Sequence, residues 1–205
     1  MRFACVALLL VACSRGEPPT YSSPGFSESV SPIPKGLEDA SVADVADAAQ
    51  PEDSGALAQT HDRPVPEGAL FDSRVAGLWD AIVRDEPDRG MPFFFPLAAY
   101  VQVKAIVDPA GDFKHRLAYS FARDIHAAHD KLGAHAADAV LIGLDVPMNR
   151  ARWIEPNEEG NKVGYFRVYV SKLRYSVGAK KLSIDVTSLI SWRGEWYVVH
   201  LSGFK

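Results

Sequence analysis

Cysteine is almost missing from this chain. The only two, Cys5 and Cys13, lie close to its start, so nothing further along can form a disulfide, supply a thiol nucleophile or build a paired-cysteine zinc site. There is no GxSxG, no GxxxxGK(S/T), no HExxH and no GxGxxG behind a strand pattern. Nucleophile-elbow hydrolysis, P-loop phosphate binding, zincin chemistry and dinucleotide binding are therefore without a motif, and none calls for a cofactor. A basic excess is missing as well. Residues 67–205 hold 18 Lys and Arg against 17 Asp and Glu, so no positive field marks a nucleic-acid binder. No internal repeat is visible.

What is present begins with a short address. Met1-Arg2 is a minimal positive start, and residues 3–12 (FACVALLLVA) form an apolar run well short of the ~20 residues needed to span a bilayer. It reads as a signal peptide over residues 1–12. Residues 14–66 are rich in Pro, Ser, Gly and Ala, with nine acidic side chains against three basic ones. Such a segment buries too little apolar surface to offset ordering, so residues 13–66 are expected to form a disordered acidic linker, with the globular domain over residues 67–205.

The closing LVAC of the apolar run, residues 10–13, resembles the lipobox of bacterial lipoproteins. That resemblance implies cleavage before Cys13, a diacylglyceryl thioether on its sulfur and a fatty acid such as palmitate on its new amine. Two or three acyl chains anchor stably where one binds only reversibly. With Ser14 rather than Asp after the cysteine, the resemblance further implies a cell-envelope location, at the outer membrane facing the periplasm.

The globular part is organised around its end. Ile190, Tyr197 and Leu201 fall on one side by two-residue alternation, and a turn at Arg193-Gly194 places Trp192 opposite Glu195, Ile190 opposite Tyr197 and Val186 opposite Leu201. A one-residue slip would destroy that match. Upstream, Val75, Leu78, Trp79, Ile82 and Val83 have helical spacing, with Asp72 or Ser73 as the cap and Pro87 as the stop. The MPFFFP stretch, residues 91–96, reads as a core plug. Alternation of Ala99, Val101, Val103, Ala105 and Val107 predicts a strand. A long helix is expected over residues 112–132, along the stripe Phe113, Leu117, Phe121, Ile125, Ala128 and Leu132, closed by Gly133. Strands are expected over residues 137–146 and 163–176, with Gly178 turning into the final hairpin.

Helices early, long antiparallel strands late and a closing GEWYVVHL strand resemble the cystatin-like α+β folds, NTF2-like domains in particular. That resemblance implies N-terminal helices packed on a curved, mainly antiparallel sheet ending in a β-hairpin. It also implies a cavity between sheet and helices, although folds of this kind host binders, enzymes and scaffolds alike.

Three groups of residues are candidates for chemistry. His126 and His129, at i, i+3 in DIHAAHD, have a spacing that presents two imidazoles to one metal, although a solvated or half-exposed helix face is the simpler explanation and no third ligand is evident. On the hairpin, Thr187 is expected across from His200, with Asp185 and Ser202 one step along and Trp196 at the far end. A carboxylate near an imidazole in a cavity suits general acid and base work, whereas a Thr187–His200 hydrogen bond is the simpler account. Trp153, Tyr165 and Arg167 sit around a charged loop and strand entry; mixed charge of this kind is usually solvated, and the functional alternative is that Trp153 with Tyr165 offers a stacking surface to a sugar or a peptide. The leading expectation is a membrane-tethered envelope protein with a non-catalytic domain for a small-molecule or envelope-protein partner. The alternative is an envelope enzyme using Asp185 and His200. A packed spacer follows if Trp79, Phe94 and Trp196 fill the cavity.

Overall fold

The computed structural model describes residues 54–201; the expected signal peptide at residues 1–12, the expected lipidation site Cys13, residues 14–53 and Ser202 lie outside the described residues. The architecture is α+β, with helices first and a mainly antiparallel five-stranded sheet after them. The elements are α1 (Ala69–Arg84), α2 (Leu97–Val103), α3 (Pro109–Asp112), α4 (Tyr119–Leu132), β1 (Ala139–Asp145), β2 (Arg152–Ile154), β3 (Tyr165–Val177), β4 (Lys180–Trp192) and β5 (Glu195–Leu201). β1, β3, β4 and β5 pair in that order, and β2 pairs with β3 beyond the end of β1. Among the described residues no helix is long and apolar enough to cross a membrane.

The first helix carries the expected stripe: Val75, Leu78, Trp79 and Ile82 are buried and Val83 partly so. It starts earlier than Asp72, at Ala69 behind Gly68, and stops where Asp85 turns left-handed before Pro87. Helix α1 packs on α4 and β1, and α4 packs on β5. Phe93, Phe94 and Phe95 are all buried; Phe94 stacks on Phe121 at 4.4 Å and sits in a parallel bridge with Val198, so the aromatic plug also borders the sheet.

The strand expected from residue 99 is a correction: residues 97–103 are helix α2. Ala99, Tyr100 and Val103 are buried while Val101 is exposed, the one-sided pattern of a helix rather than a strand. The valine and alanine alternation satisfied both periods over so short a span, and Pro96 at the N-cap starts the helix.

The long helix is continuous from Pro109 to Leu132 but contains a π-helical stretch, Phe113–Ala118. Its six expected stripe residues are buried, and Gly133 ends it at φ 53° with its N–H on His129 O.

The hairpin has the expected register at both ends. Trp192 pairs with Glu195, Ile190 with Tyr197 and Val186 with Leu201. Arg193 and Gly194 both have positive φ, 51° and 78°, the geometry of the two-residue turn that matches strand twist. Between those ends the pairing breaks twice: Leu189 pairs with Val198, but Ser188 pairs with His200. Val199 is extra on β5 and Thr187 extra on β4, so two irregularities cancel and the outer register is restored.

The linker boundary is also corrected. Residues 54–66 lie against the domain rather than ending a linker at Pro66. Gln59 Nε2 donates to Ser191 O at 3.1 Å and Gly164 O at 3.3 Å, and its Oε1 accepts from Arg193 N at 2.6 Å. Arg193 Nη1 reaches Ala58 O, Gln102 Nε2 reaches Gly55 O, and His61 lies 3.9 Å from the Trp153 ring. Pro64 is buried. Composition counts apolar area; this strap is held largely by a few polar anchors.

Candidate functional site

A cavity of about 220 Å³ opens between α2, the π-helical stretch and the strands β3, β4 and β5. Each wall has a local cause. Tyr165, Arg167 and Tyr169 alternate along β3 and so share the cavity side of the sheet. The π stretch contributes Leu117 from its buried side and Arg116 from its edge; such insertions in α-helices are frequent at functional sites. Helix α2 supplies Tyr100 and Val103, and Lys104 follows at its C-cap. The paired irregularities of the hairpin bring Thr187, Ser188, Val199 and His200 to the floor together, re-aiming side chains as bulges do.

A bridge between Lys104 and Asn161 joins the end of α2 to the loop before β3. Ala105 N donates to Gly160 O at 3.0 Å and Lys162 N to Val103 O at 2.7 Å, so Glu159 is carried to the rim. Lys104 Nζ donates to Asn161 Oδ1 at 3.0 Å, and Asn161 Nδ2 donates to the Tyr165 hydroxyl at 2.7 Å. Arg167 pairs with Glu159 and places its guanidinium 4.3 Å from the centre of the Tyr169 ring. Arg116 donates to Asp112 and to the Tyr100 hydroxyl, which itself bonds Asp112.

Electrostatics divide these groups clearly. Burial, then the bond to Asp112, push the Tyr100 hydroxyl to about 12, and burial pushes Tyr165 to about 12, so both remain protonated donors at neutral pH. The Arg116 bond, then the Tyr100 bond, hold Asp112 down at about 2. Glu159 is held below the usual carboxylate range by its bond to Arg167. Burial and then Arg116 lower Lys104, and the same two causes lower His200, which is therefore neutral at pH 7. The Thr187 hydroxyl is buried without a hydrogen-bond partner.

Of the residues singled out from sequence, Tyr165, Arg167, Thr187 and His200 meet in this cavity. Asp185 does not: it lies on the other side of β4 and pairs with Lys172 of β3. The expected Thr187–His200 opposition is shifted, because Ser188 takes that place. Trp153 stands outside the cavity between His61 and Phe166, with its Nε1 on Glu155. Trp196 is fully buried in the core. Trp79 and Phe94 are core residues too, so the three named as fillers leave the cavity open.

His126 and His129 do not converge. Nδ1 of His126 lies 2.5 Å from Asp85, while that of His129 bonds Ile82 O at 3.0 Å. Among the described residues no group of three His, Cys, Asp or Glu is placed to hold a metal ion.

Lys104, Arg116, Tyr100 and Ser188 were missed. Arg116 has one sequence-level signal, its position one residue before Leu117 of the buried stripe. Lys104 has none, since a lone lysine among valines reads as the solvent side of a strand.

Comparison with family models, curated proteins and solved structures finds no match to this chain.

Proposed function

We propose that this chain is a lipid-anchored cell-envelope protein whose NTF2-like α+β domain binds a small molecule without transforming it. The observation that carries the binding half is the cavity of about 220 Å³, where apolar walls meet several converging polar groups. Apolar walls with a few converging polar groups are the usual chemistry of a small-molecule site, and a volume below the usual range of roughly 300–1,000 Å³ restricts this one to a small ligand. The α+β order of helices followed by an antiparallel sheet agrees with an NTF2-like arrangement. Anchoring rests on LVAC at residues 10–13 and on the stability that two or three acyl chains give. The membrane in this reading is the outer membrane, with the domain in the periplasm.

A catalytic reading built on Asp185 and His200 lacks its geometry, since Asp185 is paired with Lys172 and absent from the cavity lining. The test has two arms. Labelling of the full chain with a fatty-acid analogue is expected to depend on Cys13, and a Cys13→Ala protein that stays fully in the membrane fraction refutes the anchor. In the second arm, a mixture of small fragments is expected to shift the NMR signals of Thr187 and His200. Unmoved signals across the mixture refute the binding site.

A further inference from the structure

The charges around the cavity are unevenly satisfied, and the imbalance has a sign. Its lining holds three cations, Lys104, Arg116 and Arg167, against one carboxylate, Glu159. Glu159 is committed to Arg167, and Arg116 to Asp112, which lies outside the lining. Lys104 has no carboxylate within ion-pair distance among the described residues; its side-chain partner is the Asn161 amide oxygen. A partly buried ammonium is costly unless it is paired, and the lowered proton affinity of Lys104 is that cost seen from the proton's side.

The other available groups suit the same partner. The Tyr165 hydroxyl accepts from Asn161, so its own proton remains to donate. The Thr187 hydroxyl is buried with no partner. Away from these groups, Phe95, Leu117, Ile190 and Val199 supply apolar wall. Size narrows the choice. An apolar cavity of about 150 Å³ accommodates one benzene ring, so about 220 Å³ leaves room for one ring and a carboxylate, and too little for a fused polycycle or a nucleotide.

We propose that this cavity takes a compact monocarboxylate of single-ring size, its carboxylate paired with Lys104 and its body against Phe95, Leu117 and Ile190. The assignment rests on the ligand-binding reading above and adds the charge and size of the ligand. Inorganic anions fit the charge but leave the apolar wall unused.

The experiment is titration calorimetry of the full chain in detergent with benzoate, benzamide, benzylammonium and acetate. Benzoate is expected to bind about tenfold more tightly than benzamide, the size of effect expected of a charge-assisted hydrogen bond. Acetate is expected to be weaker by a similar factor and benzylammonium to give no heat. Lys104→Met should weaken benzoate about tenfold while leaving benzamide within about twofold, which also shows that the variant's cavity is intact. Glu159→Gln should tighten benzoate, a change of sign that simple damage to the fold does not produce. Benzamide or benzylammonium binding as tightly as benzoate overturns the proposal, as does unchanged benzoate affinity in Lys104→Met, acetate matching benzoate, or binding of none of the four. In every one of those cases the broader reading survives if the fragment mixture still shifts Thr187 and His200.

Discussion

Replacing Gln59 by alanine probes whether residues 54–66 belong to the fold. Its amide bridges two places far apart in sequence: Nε2 donates to Ser191 O and Gly164 O, and Oε1 accepts from Arg193 N. That last bond matters most, because Arg193 holds a left-handed backbone at φ 51°. A non-glycine residue there costs about 1 kcal/mol or more. Each neutral hydrogen bond contributes about 1 kcal/mol net, and stranded partners add desolvation cost. The 3.3 Å contact is the weakest, and the strap is only partly buried, so Gln59→Ala is expected to lose about 2–3 kcal/mol. For a folded body of roughly 150 residues this lowers the midpoint of thermal unfolding by about 5–10 °C. Circular dichroism melts of parent and variant, with His61→Ala as a second lesion of the strap against Trp153, measure it. A Gln59→Ala midpoint within about 1 °C of the parent refutes the argument and returns these residues to the linker.

Two further outcomes follow from the same geometry. A Cβ on Gly164 would lie 2.7 Å from Cε2 of Trp153, nearer still to its Cζ2, and 2.9 Å from Ile154 O, so Gly164→Ala is expected to destabilise by about 1–3 kcal/mol and to change Trp153 fluorescence; an unchanged denaturation midpoint argues against it. His200 faces Lys104, Arg116 and Arg167 together with Tyr165 and Tyr169 across the cavity, and burial with Arg116 lowers its pKa. The unfolded chain therefore takes up the proton first as pH falls through about 6.5, so stability attributable to neutral His200 declines below that pH, by at most about 1.4 kcal/mol per pH unit. The stability of His200→Gln relative to the parent should accordingly rise between pH 7.5 and pH 5.5 in denaturant titrations, and a flat difference contradicts this sign.

Much of the architecture was legible because burial is periodic. The stripe from Phe113 to Leu132 could be read since one face of a helix meets the sheet and the other does not, and the two ends of the hairpin could be paired since only one register joins Ile190 to Tyr197. The failures share a cause. Helix α2 is seven residues long, too short for its valines and alanines to separate a period of two from one of 3.6. The strap lacks a periodic apolar face and is held by single contacts of Gln59, His61 and Pro64. Asp185 and His200 could be imagined together only while the hairpin was taken as regular, and Asp185 in fact faces Lys172.

The cavity lies where regular structure gives way, which is why half of it was invisible from pattern alone. Thr187 and Val199 are extra residues in their strands, and Val170, standing across from Thr187 between the pairs Tyr169–Ser188 and Ser171–Val186, has φ 63°. A β-branched residue in that conformation is strained and persists only because its neighbours fix it. The π stretch adds a further departure on the opposite wall. Had the strands kept strict alternation, His200 would share the side of Trp196 and Val198, both buried in the core, instead of reaching the cavity. The irregularities are what carry His200 and Thr187 to Lys104 and Arg167.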